Sequence, residues 1–140
     1  MATRGIRNNN PLNIRHSKSK WQGMRNVQTD KAFVQFTERR YGYRAAFILI
    51  KNYIELRKAN TIGKIIARWA PSKDGNNTQA YIEYVVKTTG IAADKPLQFD
   101  DRKAMVGIVM SMAQMESGII EKTEVLEEAY YMAEGIRIKN

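Results

Sequence analysis

Residues 4–23 read RGIRNNNPLNIRHSKSKWQG. Three consecutive asparagines precede Pro11, and such residues favour turns because their amides bond nearby backbone groups and the proline restricts the residue before it. The stretch therefore predicts a shaped loop and no helix. Its amides, guanidinium groups and single indole suit a sugar or a nucleic-acid base, whereas a solvated N-terminal arm is the alternative interpretation.

Length and composition limit both the class of protein and the kind of site. The 140 residues, of which 44% are hydrophobic, predict one globular domain over residues 1–140. The chain has no cysteine and one histidine, so we expect no disulfide and no thiolate or multi-histidine metal site. The sequence contains no recognisable signal peptide and no apolar run of membrane-spanning length, so we expect no membrane partner.

The positive charge is concentrated in the first half of the chain. The net charge is +9, and residues 1–70 hold 15 Lys and Arg against 3 Asp and Glu, whereas residues 71–140 hold 8 against 11. A basic half indicates a polyanionic partner, which could be nucleic acid, membrane headgroups or an anionic cell wall. A merely solvated basic surface would give the same pattern.

The remaining residues predict a predominantly α domain of the α+β class, with a small β-hairpin near the N-terminus. Residues 32–36, AFVQF, are aromatic and β-branched, and they predict a strand that pairs with residues 13–15 and with the segment near Met24. Trp69 lies on an apolar helical stripe, so we interpret it as a core residue rather than a ligand platform. The predicted helices begin at Thr37, Thr61, Thr78, Asp100 or Asp101, and Thr123, and their ends are marked by Pro71, Gly90, Ser117-Gly118 and Gly135.

Glu116 stands at the end of the most apolar of these stripes. It follows the apolar positions of residues 105–112 at helical spacing, which predicts that its carboxyl faces the packed side. Burial would raise the pKa of the carboxyl and keep it protonated, as a general acid requires. Alternatively, Met115 continues the stripe and Glu116 lies in water at the helix end.

Asp30 is the second candidate carboxylate. It is the only acidic residue among the first 37, and it could assist catalysis or merely cap a turn, which is the interpretation we favour. If both acids were catalytic, a separation of about 5–5.5 Å would indicate a retaining glycosidase and about 6.5–9.5 Å an inverting one.

Several motifs follow one another along most of the chain. They are RGIRNNNPLNIR at 4–15, WQG at 21–23, FVQF at 33–36, GYRA at 42–45, IIARWAP at 65–71 and TQAY at 78–81. This series resembles a family of phage and prophage proteins described as virion structural or lysozyme-like, which includes the murein-degrading protein of the cystoviruses. NPLNI at 10–14, with WQG and FVQF, is more distantly similar to flagellar-type glucosaminidases and lytic transglycosylases. In those enzymes the catalytic helix precedes this series, whereas here MAQMESG at 112–118 follows it. The resemblance therefore implies a circularly permuted lysozyme-like fold.

The resemblance implies a muralytic enzyme that cleaves the β-1,4 glycosidic bond of peptidoglycan. Glu116 would protonate the leaving oxygen and then act as the base while the 6-hydroxyl of muramic acid closes an anhydro ring, as in lytic transglycosylases. Participation of Asp30 would instead allow hydrolysis, as in lysozymes. No metal or cofactor is implied. The residues expected to contact the glycan strand are Asn10, Asn13, Trp21, Arg7, Arg15 and Tyr81.

Three residues depart from the family pattern, and they keep other functions open. Met115, Ser117 and Leu12 stand where the family commonly has histidine, asparagine and glycine. The alternative is therefore a non-catalytic murein-binding or virion structural protein of the same fold, with other virion proteins as partners. Nucleic-acid binding and cleavage of murein peptide bonds are weaker alternatives, the second because the usual zinc and cysteine machinery is missing. We expect a phage or prophage protein that is virion-associated, or cytoplasmic until release.

Overall fold

The computed structural model describes residues 2–136 and is predominantly helical, which confirms the predominantly α part of the predicted class. A single 3-10 turn, Ser72–Asp74, lies between α3 and α4. No helix in the described range is long and apolar enough to cross a membrane. The helices are α1 Arg4–Arg7, α2 Arg39–Leu56, α3 Ile62–Trp69, α4 Thr78–Thr89, α5 Arg102–Ser117 and α6 Thr123–Glu134.

The five long helices begin close to the predicted positions, and at α3, α4 and α5 the sequence supplies a hydrogen-bonding cap. The Thr61 hydroxyl accepts a hydrogen bond from the Lys64 amide, and Asp101 caps α5 in the same way. At α4 the cap is Asn77 rather than Thr78, since the Thr78 hydroxyl donates to the carbonyl of residue 70 at 2.6 Å. Gly90 ends α4 in the left-handed conformation at φ +73°, as predicted.

The prediction that residues 4–23 contain no helix is wrong for the first turn. Arg4–Arg7 forms the short helix α1, and the asparagines start only where it ends, with Asn8 as its C-cap. The turn propensity of the asparagines does not reach back to residues 4–7. A helix this short is not stable by itself, so its packing against the rest of the protein holds it in place.

The predicted hairpin does not appear as paired strands within residues 2–136. Two isolated antiparallel bridges, Arg15 with Phe33 and Met24 with Phe36, occupy its position. The reason is that side chains bond to much of the backbone in this segment. The Gln35 backbone amide donates to Gln28 Oε1 at 2.7 Å, and the Phe33 backbone amide donates to Asp30 Oδ1 at 2.9 Å. Backbone groups bonded in this way cannot join a regular ladder.

Helix α5 lies at the centre of the hydrophobic core. It packs against α4 and α6, and α6 packs against α2. The α5 side chains of Met105, Ile108 and Met112 have no exposed surface, and each such burial contributes roughly 1.5–3 kcal/mol. This central position fixes the end of α5, where Glu116 lies.

The N-terminal segment docks directly onto the end of α5. The Ser117 hydroxyl donates to the Pro11 carbonyl at 2.7 Å, and the Thr3 hydroxyl donates to the Ser117 carbonyl at 2.9 Å. Gly5 permits this approach, because a Cβ at that position would lie 2.0 Å from Ser117 Oγ. The first loop and the end of α5 are therefore one structural unit, and this unit brings Asn13 to Glu116.

Candidate active site around Glu116

Both oxygens of the Glu116 carboxyl are held by neutral donors from other parts of the chain. The Asn13 side-chain amide donates to Oε1 at 3.1 Å, and the Tyr81 hydroxyl donates to Oε2 at 3.1 Å. The preceding residue, Met115, is 38% exposed, whereas Glu116 is half-buried. Of the two predicted arrangements, the structure therefore has the one in which Glu116 faces the packed side.

Burial raises the pKa of Glu116 above its ordinary value. The hydrogen bonds from Asn13 and Tyr81 and the positive charge of Arg15 act in the opposite direction, but they do not cancel the desolvation. Burial also raises the pKa of Tyr81 well above its usual range, so its hydroxyl remains a donor. A carboxyl that retains its proton to a higher pH is suited to general acid catalysis.

The loop geometry that delivers Asn13 depends on Asn10. The Asn10 amide group donates to the carbonyls of Ile14 and Val34 at 2.9 and 2.8 Å, and its Oδ1 accepts from the Ile14 amide at 3.0 Å. Asn13 itself has φ +54°, a conformation that asparagine tolerates better than most residues. Leu12 is completely buried in the core. Asn10 therefore shapes the loop from inside.

Asn13 lines one of two open pockets, and its hydrogen-bond partner Glu116 lines the other. The first, here called the aromatic pocket, has a volume of about 230 Å³, and the second, the amide pocket, has about 270 Å³. The aromatic pocket is lined by Asn13, Ile14, Arg15, Ser17, Trp21, Leu49, Tyr53 and Trp69. The amide pocket is lined by Asn76, Asn77, Ala80, Tyr81, Met115 and Glu116. Because an Asn13 hydrogen bond joins the two sets, the carboxyl lies where the pockets adjoin.

The walls of the aromatic pocket include residues that the sequence did not mark as functional. Trp69 packs partly against the core, as predicted, but it also lines the pocket, edge to face with Tyr53 at a centroid distance of 6.2 Å. A helical stripe alone does not show which aromatic residue lies at the edge of a core. The Trp21 indole N–H is buried without a hydrogen-bond partner among the described residues.

Asp30 is placed as a turn cap and an ion-pair partner. Its Oδ1 accepts from the amides of Ala32 and Phe33 at 2.9 Å, and Arg4 donates to both carboxylate oxygens at 2.6 Å. These hydrogen bonds, that from Arg4 above all, hold the pKa of Asp30 far below its usual range. Asp30 lines neither pocket.

Of the eight predicted site residues, the structure brings five together. Arg7 is exposed and donates to the carbonyl of Ala2, away from the residues that line either pocket. Among residues 2–136, no group of three or more His, Cys, Asp or Glu side chains is placed to bind a metal ion. The five residues that line the pockets are Glu116, Tyr81, Asn13, Arg15 and Trp21.

Comparison with known proteins gives one informative similarity. No family model matches the chain. Protein P5 of Pseudoalteromonas phage PM2 is 35% identical to it over 120 residues, which cover 84% of this chain and 72% of that protein. The similarity therefore extends over most of both sequences.

Proposed function

The chain belongs to the family of Protein P5 of Pseudoalteromonas phage PM2, and from this premise we propose that it is a phage muralytic enzyme with a permuted lysozyme-like fold. It cleaves the β-1,4 glycosidic bond of peptidoglycan, in the manner of a lytic transglycosylase. The observation that carries the proposal is the half-buried Glu116 carboxyl, with a raised pKa, at the junction of two pockets.

Glu116 acts first as the acid. Its proton passes to the glycosidic oxygen as the bond from the muramic acid C1 to that oxygen breaks, and positive charge develops at C1. The carboxylate that remains then takes the proton of the C6 hydroxyl, whose oxygen bonds to C1 and closes the 1,6-anhydro ring. The carboxyl ends as it began, and no water is consumed.

The absence of a second free acid supports this route over hydrolysis. Glu116 is the only acidic residue among those that line the two pockets. Asp30 is bound to Arg4 through two hydrogen bonds and is therefore poorly placed to activate water. A mechanism that uses one carboxyl twice and the substrate's own hydroxyl needs no such group.

The two pockets provide suitable surfaces for a glycan strand. In the aromatic pocket, the rings of Trp21, Tyr53 and Trp69 offer apolar faces for sugar rings. In the amide pocket, Asn76 and Asn77 carry side-chain amides that can bond hydroxyl and N-acetyl groups. Tyr81 and Asn13 then act as positioning residues, because each fixes one oxygen of Glu116.

The test is mass spectrometry of the soluble products released from purified murein by three proteins. These are the wild type, Glu116→Gln and the control Glu124→Gln, which alters an exposed acid on α6. We expect anhydro-muropeptides from the wild type and the control, and none from Glu116→Gln. Reducing-end sugars would replace the transglycosylase mechanism with hydrolysis. If none of the three proteins releases a product, the alternative of a non-catalytic murein-binding or virion structural protein is the better account.

A further inference from the structure

A run of exposed cations begins at the edge of the aromatic pocket. Residues 15–20, RHSKSK, here called the basic loop, are all exposed, and Arg15 and Ser17 line the pocket. The base of the loop is fixed, since the His16 amide donates to the Ala32 carbonyl at 3.0 Å and the Arg15 guanidinium lies 5.1 Å over the Phe33 ring. The loop thus presents its charges from a defined position.

These cations form no ion pair in the described part of the chain, although the charge of Arg15 acts on Glu116. None of the ion pairs between residues 2 and 136 involves Arg15, Lys18 or Lys20. The one acid nearby in sequence, Asp30, is paired with Arg4. Unpaired charges on a fixed loop are available to a partner of opposite sign.

The charge is distributed unequally between the two pockets. Arg15 is the one cation among the residues that line the aromatic pocket, and the exposed Arg68 guanidinium lies 5.3 Å over the ring of Tyr53, which also lines it. The amide pocket, in contrast, has no cation among its lining residues. A ligand that spans both pockets should therefore be anionic at one end and neutral at the other.

We infer that the basic loop binds the carboxylates of the peptidoglycan stem peptides, so that the peptide-bearing sugar lies in the aromatic pocket. This inference rests on the proposed function. In peptidoglycan the muramic acid unit carries the acidic peptide and the neighbouring N-acetylglucosamine carries no charge. The alternation of charged and neutral sugars matches the difference between the two pockets.

A single-stranded nucleic acid also combines negative charge with rings that stack on aromatic side chains. Its phosphates, however, recur at every nucleotide, and they would bring negative charge next to Glu116 in a pocket that offers no cation. The distribution of charge therefore favours a strand with charge on alternate units.

The experiment measures cosedimentation with purified sacculi and uses Glu116→Gln as the parent protein, so that binding is separated from cleavage. Lys18→Gln with Lys20→Gln is compared with the control pair Lys87→Gln and Lys122→Gln, which removes two exposed lysines elsewhere. The ligands are intact sacculi, glycan strands freed of stem peptides by an amidase, and single-stranded DNA, the last two coupled to beads so that they also sediment. Each ligand is tested between about 20 and 300 mM salt, a range over which screening changes strongly.

We expect the basic-loop pair to weaken binding to intact sacculi by roughly three- to tenfold at low salt, which is the size expected for two exposed ion pairs. The control pair should change it by less than about twofold. Removal of the stem peptides should abolish the difference between the two pairs. An equal loss from both pairs, no dependence on the peptides, or tighter binding to DNA than to sacculi would overturn the inference. Binding that follows the expected pattern in a protein whose wild type releases no product would uphold the inference and reject the proposed activity.

Discussion

Gly5→Ala tests whether the N-terminal helix α1 is packed closely against the end of α5 that carries Glu116. The added Cβ would lie 2.0 Å from Ser117 Oγ, and 3.0 Å from both the Asn10 carbonyl oxygen and Asn13 Oδ1. The Ser117 hydroxyl cannot easily turn away, because the residue is 2% exposed and donates to the Pro11 carbonyl. Either α1 must move by more than ~1 Å to restore an ordinary contact, or the hydrogen bond must break.

The expected cost follows from these contacts. Overpacking of a tightly filled site costs about 1–3 kcal/mol, and loss of the Ser117 hydrogen bond adds about 1 kcal/mol. Alanine is favoured over glycine in a helix by about 0.5–1 kcal/mol, which offsets a small part of this. We therefore expect Gly5→Ala to lower the free energy of unfolding by about 1–3.5 kcal/mol.

The assay is equilibrium unfolding in urea, followed by circular dichroism, on four proteins that form a double-mutant cycle. Ser117→Ala removes the atom that the new methyl group would meet, so Gly5→Ala should cost at least ~1 kcal/mol less in that background. Gly135→Ala is the control, because a Cβ there meets no heavy atom within 4 Å. If Gly5→Ala stays within about 0.5 kcal/mol of the wild type and shows no coupling to Ser117, the docking of α1 against α5 is not as described.

Glu116→Gln should change how stability depends on pH: a raised pKa in the folded state gives stability that is present below the unfolded pKa and lost as pH rises. The wild type should therefore lose stability relative to the variant as pH rises above about 4.3. The total loss is ~1.4 kcal/mol for each pH unit by which the folded pKa exceeds the unfolded pKa. Urea unfolding that shows the same difference in stability at every pH would contradict this. Tyr81→Phe removes a hydrogen bond that lowers the pKa of Glu116, so a carboxyl NMR titration should show that pKa rising further; an unchanged value would exclude the bond. Asn10→Ala should lower the free energy of unfolding in urea by about 2 kcal/mol or more, because buried backbone groups lose their hydrogen-bond partners. A decrease below ~0.5 kcal/mol would show that the Asn10 side chain does not make these hydrogen bonds. Burial acts to raise the pKa of Glu121, but the hydrogen bonds from Arg39 and other donors lower it overall. Glu121→Gln should lower the free energy of unfolding by about 1–2 kcal/mol at neutral pH, and by progressively less as pH falls through the folded pKa. Urea unfolding in which this decrease does not depend on pH would refute the ionic contribution of Glu121.

The long helices could be predicted from the sequence because local signals and the apolar pattern agree. Thr61 and Asp101 have side chains that bond the first free amides of a helix, and Gly90 adopts the left-handed conformation that ends one. Each signal acts within a few residues, so it can be recognised without knowledge of the fold. Helical spacing along α5 allowed Glu116 to face the packed side but equally allowed Met115 to do so, and only the structure decides between the two.

The front of the chain could not be predicted as well because its structure depends on distant contacts. Arg4–Arg7 is helical where it meets the end of α5, more than 100 residues later, and no local pattern reports that contact. The role of Asn10 was equally hidden. An asparagine that binds a ligand and one that bonds the backbone from inside a loop have the same local sequence, and only its complete burial separates them. Helical spacing predicts that Trp69 packs on the core, but it does not reveal that another side of the same residue borders a pocket.

The state of Glu116 links the folding of the first loop to the proposed chemistry. Its pKa is raised because the carboxyl is buried, and part of the cover comes from the loop that carries Asn13. If that loop loosens, water reaches the carboxyl and the Asn13 hydrogen bond is lost. Desolvation is the largest influence on this pKa, so its loss outweighs the loss of the hydrogen bond, and the pKa falls towards the ordinary value. Less of the carboxyl is then protonated at neutral pH. The proposed activity of Gly5→Ala should therefore fall more at neutral pH than at acidic pH, where even a solvated carboxyl retains its proton. A general loss of folded protein would instead reduce the activity by the same factor at both pH values. The pH dependence thus separates a loosened site from an unfolded chain.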